Sequence, residues 1–360
     1  MGRREIEMKK TLIDELPFEI DARIPLQLGR ESISSSMVAL SELVKNSYDA
    51  DATKVTLDFL NLGTNKAALV ISDNGIGMNQ DSFKKNWLRI GTTNKTRNIR
   101  SRKFKRVLTG AKGLGRLGVD RLSKDLILHT KTKAAKTAYE LTVHWNKYEK
   151  EGISLSDVKH SFYECEIPIN DDFGIAFNKK SDEGTRLILD GLKDNWDRSS
   201  LLQVRQQLSF LVSPFSDAGD FEIEIKSGFE DVDGIVNSES VLEAAIWKIK
   251  AKLQKNGKVT IKYEDCVRKK LYSLNSIPWH EFMSIGDEEK PVCGPLNFSM
   301  YYIPWDDPKH LDKPSFDKKD IRAFMGSNQG IRIYRDYFRV RPYGEPDSTG
   351  DWLDLSSRAI

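Results

Sequence analysis

The chain has 360 residues, 39% apolar and 30% charged, with a formal net charge of +3; this suits a globular protein of about two domains, and so small a charge names no partner. No apolar run approaches a membrane span, and the charged opening Met1-Gly2-Arg3-Arg4-Glu5-Ile6 lacks the apolar core of a secretory signal. Cys165, Cys266 and Cys293 are too few and too scattered for a disulfide framework or a zinc site, which points to a reducing cytoplasm, or to the nucleus in a eukaryote.

Ile24 to Arg30 reads as a short lead-in. Glu31 to Tyr48 has helical character, with Val38, Leu40, Leu43 and Val44 on its apolar side, and Asp49-Ala50-Asp51-Ala52 ends it. Lys54 to Leu60 and Ala67 to Ser72 read as strands around a turn at Asn61 to Asn65, the second ending at Asp73. From Ser82 to Val119 there is no acidic residue and there are twelve basic ones, densest from Lys95 to Arg106. Alone, such a run is a solvated loop; the glycine loops that flank it favour one that organises around a polyanion. Phe104 is the only aromatic in the dense part, which argues against base stacking there.

Gly113 to Leu122 begins a helix. Asp125 to Lys131 and Thr137 to His144 read as paired strands, Lys147 to Asp171 as a polar, irregular insertion, and Thr185 to Leu189 as a further strand. Helix, strand, turn, strand and glycine loop in that order imply helices laid on one face of a mixed sheet. A domain boundary falls near Lys193 to Ser200. Beyond it, Leu201 to Leu211 reads as a helix, and Phe221 to Ser227, Val259 to Tyr263 and Leu296 to Ile303 as strands. Gly330 to Pro342 reads as a hairpin around Arg335-Asp336. Asp351 to Ile360 has no polar tail or stop signal, which allows the chain to be a fragment of a longer protein.

The chemistry begins with Glu42 and Asn46. Four residues apart on a helix, they share a face. The carboxylate can accept a proton from water, and the carboxamide offers a neutral oxygen to Mg²⁺, which is usually held by few protein ligands plus phosphates and waters. Asp73 ends a strand just before Asn74-Gly75-Ile76-Gly77-Met78 and can accept a hydrogen bond from an adenine amine. Gly77 lets backbone approach a flat base without a Cβ. Gly110, Gly113, Gly115 and Gly118 form a turn feeding a helix, whose amides suit phosphate oxygens, with Lys112 and Arg116 adding charge. Each feature alone is commonplace: a surface glutamate, a capping amide, an Asp-Asn-Gly turn. Their order and spacing are specific, and they read as a site that binds and cuts a nucleoside triphosphate.

Four blocks in order, Glu42-Leu43-Val44-Lys45-Asn46-Ser47-Tyr48-Asp49-Ala50, Asp73-Asn74-Gly75-Ile76-Gly77-Met78, Gly110-Ala111-Lys112-Gly113-Leu114-Gly115 and Gly184-Thr185, resemble the GHKL ATPases: DNA gyrase, heat-shock chaperones, histidine kinases and MutL, with the MORC proteins as close relatives. The resemblance implies a Bergerat-type two-layer α/β sandwich with a mixed sheet at 24–195, behind an N-terminal extension at 1–23. It implies that ATP and Mg²⁺ are the cofactors, Glu42 the general base, Asn46 the Mg²⁺ ligand and Asp73 the adenine reader. Gly77 and Met78 would line the base, and Thr185 would join Asp73 through water. Residues 91–118 would be a lid that orders over the triphosphate. The implied ATP site also takes in Asp49, Gly75, Thr92, Thr93, Lys95 and Lys112, with Gly113, Leu114, Gly115, Arg116, Leu117 and Gly118 at the phosphates.

Residues 196–360 resemble, through Gly330 to Pro342, the α/β transducer domain that follows the ATPase in gyrase, MutL and MORC proteins. Such domains send a lysine to the terminal phosphate; Lys313, Lys318 and Lys319 are candidates. The leading reading is an ATP-driven clamp that forms a homodimer when ATP binds, with DNA or an effector protein as further partner and no membrane. The Ser47-Tyr48-Asp49-Ala50-Asp51-Ala52 run and the basic lid lean towards DNA-linked work such as antiviral defence. A nucleotide-sensing module with little turnover is the alternative. A histidine kinase fits poorly, because none of His129, His144, His160, His280 or His310 lies in a long helical hairpin before the nucleotide domain.

Overall fold

The computed structural model describes residues 18–33, 35–90, 100–109, 115–209, 211, 221–236, 242, 244–281, 294–304, 331–335 and 338–340. It opens with two helices, α1 (Ile24–Ser32) and α2 (Ser36–Asp49), where the sequence suggests a lead-in and one helix. The chain is extended at Ile33 and again at Ser35, whose side chain accepts the Val38 amide as an N-cap. Ile33 is thereby turned into the core, 2% exposed.

β1 (Lys54–Leu60) and β2 (Ala68–Asp73) follow. After a 3-10 turn at Gly115–Gly118 comes α3 (Val119–Leu122), shorter than the helix expected from Gly113, because Ser123 is already extended as the first residue of β3 (Ser123–Lys131). β4 (Ala138–His144) pairs with β3. The stretch read as an irregular insertion instead holds β5 (Ser161–Cys165) and β6 (Ile169–Asp171), the latter paired with β7 (Gly174–Ala176). β5 lies at the edge of the sheet and is mostly exposed, so it lacks the apolar alternation that marks a strand. β8 (Gly184–Leu192), α4 (Arg198–Ser209), β9 (Glu222–Lys226) and β10 (Gly234–Ile235) complete the layer.

These strands form one mixed sheet in the order β10-β9-β1-β2-β8-β3-β4-β5, with β1 and β9 parallel and the other neighbours antiparallel. Burial alternates along β1 and β9, as it does when one face of a sheet is covered. Val55, Leu57, Ile223 and Ile225 share a core with Leu40 and Leu43 of α2 and with Leu201, Val204 and Leu208 of α4. The result is a two-layer α/β sandwich. β9 and β10 belong to its sheet and α4 to its core, so the boundary expected near 193–200 runs through this layer rather than past its edge.

A second sheet has the order β13-β12-β11-β14, from β11 (Trp247–Leu253), β12 (Lys258–Asp265), β13 (Lys270–Pro278) and β14 (Leu296–Tyr302). β11 and β13 add to the strands expected here. The hairpin of β15 (Ile333–Arg335) and β16 (Phe338–Val340) pairs Arg335 with Phe338, one residue later than a turn at Arg335-Asp336. Among the described residues, no helix is long and apolar enough to cross a membrane.

Candidate active site

Glu42 and Asn46 sit on α2 and converge on Gly115. A Cβ built on that glycine would lie 3.5 Å from Glu42 Oε2 and 3.7 Å from Asn46 Nδ2, so the acid and the amide face the start of the glycine turn. A flip of the carboxamide presents its oxygen to the same point. The other carboxylate oxygen, Glu42 Oε1, takes an ion pair from Lys45 Nζ at 2.9 Å. That pair orients the carboxylate and leaves Oε2 towards the turn. Among the described residues there is no group of three or more His, Cys, Asp or Glu able to hold a metal. One amide oxygen beside a glycine turn does suit Mg²⁺, which takes most of its ligands from phosphate and water.

The opposite end is built by strand register. β2 and β8 pair Asp73 with Thr185, and β8 and β3 pair Thr185 with Thr130, so the three residues stand in one row. Asp73 accepts hydrogen bonds from Gly75 N at 2.9 Å, Ser47 Oγ at 3.1 Å and Thr185 N at 3.2 Å. Burial pushes its carboxyl up to about 6, and those three donors oppose the rise. Near neutrality Asp73 is therefore a costly carboxylate with an appetite for another donor. Thr185 meets it directly through the backbone, where a water bridge is implied by resemblance. Thr130 Oγ1 accepts the Met78 amide at 2.9 Å and donates to Gly184 O at 3.1 Å, stitching the Gly77-Met78 loop to the row.

Two glycines here are forced. Gly77 has φ +60°, and a Cβ on it would stand 2.0 Å from Lys131 O. Gly184 has φ +138°, and its Cβ would stand 1.9 Å from Asp73 O. The close neighbour of Gly77 is the adjoining strand, so its glycine is required by the sheet as well as by a flat base. Lys131 is fully buried and donates from Nζ to the carbonyls of Lys180 at 2.9 Å and Asp182 at 2.7 Å. It fixes the loop that delivers Gly184 and Thr185. Asn74 Oδ1 accepts the amides of Thr53 and Lys54 and so ties the Asp73 loop to β1. Thr130 and Lys131 lie outside the motif blocks and are brought in by strand pairing; Ser47 and Asn74 lie inside them, and their supporting bonds appear only in the fold.

The basic run is anchored by the protein's own carboxylates. Asp49 Oδ1 accepts the amide and hydroxyl of Thr109 at 2.9 and 3.0 Å. Asp51, left-handed at φ +62° and 1% exposed, accepts from Ser101 Oγ, Lys103 N and Phe104 N. Burial works to raise the Asp51 carboxyl, but those hydrogen bonds and the Arg106 charge outweigh it and hold the group below its usual range. Arg106 lies over the Tyr48 ring at 4.4 Å and the Phe104 ring at 4.7 Å. Residues 100–109 thus dock on the C-terminal end of α2, and Asp49 faces them. The expectation that this run organises only around a polyanion is amended accordingly for 100–109.

The remaining site residues divide three ways. Gly115 lies beside Glu42 and Asn46, and Gly75 donates its amide to Asp73. Arg116 donates to the carbonyls of Asn86 and Trp87 and lies over the Trp87 ring at 5.6 Å; burial lowers its pKa to about 10. Leu117 and Gly118 turn into the protein: Gly118 is packed so closely that a Cβ would meet Ile33 Cδ1 at 2.2 Å. Thr92, Thr93, Lys95, Lys112, Gly113 and Leu114 lie outside the described residues.

Residues 33–171 match the family model of histidine kinase-, DNA gyrase B- and HSP90-like ATPases. This segment is a GHKL-type ATPase domain. The matched span holds Glu42, Asn46, Asp73 and the turn at Gly115–Gly118, while Thr185 enters from β8 beyond it. No curated protein matches the chain. The GHKL-type domain therefore carries ATP binding at the level of its family, and the roles of single residues rest on the geometry above.

Proposed function

We propose that the chain binds ATP with Mg²⁺ and hydrolyses the terminal phosphoryl group, and that two copies close on each other when ATP is bound. The observation that carries this reading is the convergence of Glu42 Oε2 and Asn46 on Gly115, with Ser47, the residue after Asn46, donating to Asp73. Asp73 accepts the adenine amine. Asn46 contributes one oxygen to the cation, which would neutralise charge on the phosphates. Glu42 takes the proton of the attacking water, with Lys45 as its positioning residue. The lid return at 100–109, pinned to Asp49 and Asp51, limits water on the phosphate side. A symmetric dimer is the default assembly for such a clamp. The Ser47-Tyr48-Asp49-Ala50-Asp51-Ala52 run supports a DNA-linked role such as antiviral defence. The three lysine candidates for the terminal phosphate, Lys313, Lys318 and Lys319, fall outside the described residues.

Phosphate release and ATP binding measured side by side test this. Glu42→Ala is expected to lower the rate of release by about 10²–10⁴-fold and to leave ATP affinity nearly unchanged. Release that survives the substitution removes Glu42 from the chemistry. Tight binding with no release by the wild type leaves a nucleotide-sensing module instead.

A further inference from the structure

We propose that the lysine face of the second sheet holds the phosphate backbone of double-stranded DNA without reading its sequence. β11 runs Trp-Lys-Ile-Lys-Ala-Lys-Leu, so its side chains alternate strictly between two faces. Its register with β12 and β14 then sorts the whole sheet. Trp247, Ile249, Ala251 and Leu253 go to one face, together with Tyr263, Phe298 and Tyr302. Lys248, Lys250 and Lys252 go to the other, together with Lys258 and Lys262 of β12.

The lysine face is an unbalanced charge array. Lys250 and Lys262 are direct cross-strand partners, and like charges so placed destabilise a sheet. Glu264, opposite Lys248, is the only acid on that face among the described residues. None of the five lysines has an ion-pair partner among the described residues. Lys250, Lys252, Lys258 and Lys262 are exposed and Lys248 is half-buried. Along β11 the charges repeat every second residue, about 6.6–6.8 Å apart. A regular row of cations that repel one another fits a regular anionic polymer better than a single small anion.

The residue types choose among polyanions. The face has lysine and no arginine, whereas protein interfaces are depleted of lysine and enriched in arginine. Lysine meets phosphate as a point charge, without the bidentate geometry that reads particular groups. Among the described residues Tyr301, opposite Lys248, is the one aromatic on the lysine face, while Trp247, Tyr263, Phe298 and Tyr302 project from the other, so unpaired bases find a single ring and no stacking row beside the lysines. Backbone contact with a duplex remains. This surface is separate from the lid segment, and the proposal does not depend on ATP being bound or cut.

The test is a salt series on binding of a fluorescent, random-sequence duplex DNA by the full chain without nucleotide. Five phosphate contacts predict a slope of log affinity against log salt near −4.5. Lys250→Gln/Lys252→Gln/Lys262→Gln is expected to make the slope shallower by about 2.7 and Lys252→Gln/Lys258→Gln by about 1.8, both with normal melting. The double variant decides the matter if the triple variant does not fold. Arg102→Gln/Lys105→Gln on the lid segment is expected to leave the slope unchanged. The proposal is overturned if the wild type does not bind duplex, if the sheet variants keep the wild-type slope, or if the lid variant alone loses binding. Equal binding to phosphatidylserine vesicles, abolished by the same sheet variants, also overturns it in favour of a membrane surface.

Discussion

The proposed base and phosphate ends of the site are made by different means. At the base end, strand register alone sets Asp73, Thr185 and Thr130 in a row, and two glycines keep neighbouring backbones within reach. At the phosphate end, side chains do the work: Lys45 holds Glu42, and Asp49 and Asp51 hold the lid return. The first is part of the sheet and cannot move without it. The second is mounted on α2 and the residues that follow it and can be altered with the fold intact. The proposed recognition row is thus inherited from the architecture, while the proposed catalytic pair is an attachment to it.

That contrast can be broken from the base end first. Gly184→Ala puts a Cβ against Asp73 O in a backbone conformation that L-residues avoid. It is expected to cost about 2–5 kcal/mol of folding stability, read as a lower denaturant midpoint. A midpoint close to wild type would mean the row is not set by the sheet.

Asp73→Asn comes next. Asparagine can keep the Gly75 and Thr185 amides on its oxygen and donate to Ser47, but it faces the adenine amine with a second donor. Nucleotide affinity is expected to fall by about 10- to 100-fold, the loss of a charged acceptor. Stability moves the other way. The folded carboxyl titrates at about 6, above its usual 3.8, so the folded state favours the proton. The stability this group contributes is full below about pH 4 and is lost as pH rises through about 6, on the order of 3 kcal/mol. The variant without nucleotide is therefore expected to melt at or above the wild type at pH 8. Wild-type nucleotide affinity should decline below about pH 6 as Asp73 protonates, while the variant stays flat over that range. A variant that melts well below the wild type at pH 8 contradicts this assignment.

The smallest effect belongs to the lid anchor. Asp51→Asn keeps the left-handed backbone but weakens charge-assisted bonds to Ser101, Lys103 and Phe104, at a cost of about 1–2 kcal/mol near pH 7. The Asp51 carboxyl is depressed in the folded state, so its contribution is present above its usual range and fades as pH falls into acid. Limited proteolysis should cut within 100–109 faster in the variant. Equal rates would separate the lid from α2.

The sequence showed the chemistry-bearing residues clearly because i, i+4 spacing and glycine turns are local signals: Glu42, Asn46, Asp73 and Gly77 need no partner to be noticed. It hid whatever depends on pairing. Thr130 and Lys131 look like ordinary residues until β3 and β8 lie side by side, and Ser47 does until α2 sets it against Asp73. The acids at 49 and 51 read as a helix end, although they hold the basic run. The break between α1 and α2 leaves no local mark, because Ser35 sits inside a continuous helical pattern. β5 was missed because an exposed edge strand carries no apolar rhythm. Gly118 looked like one more phosphate glycine and is a packing contact for Ile33.

The most direct test of the cleft is calorimetric titration of the wild type with ATP and with GTP in the presence of Mg²⁺. Adenine offers an amine where guanine offers an oxygen, and Asp73 can accept only from the amine. The structure predicts clear preference for ATP, abolished in Asp73→Asn. Equal affinity for the two nucleotides in the wild type, or no affinity for either, would contradict it.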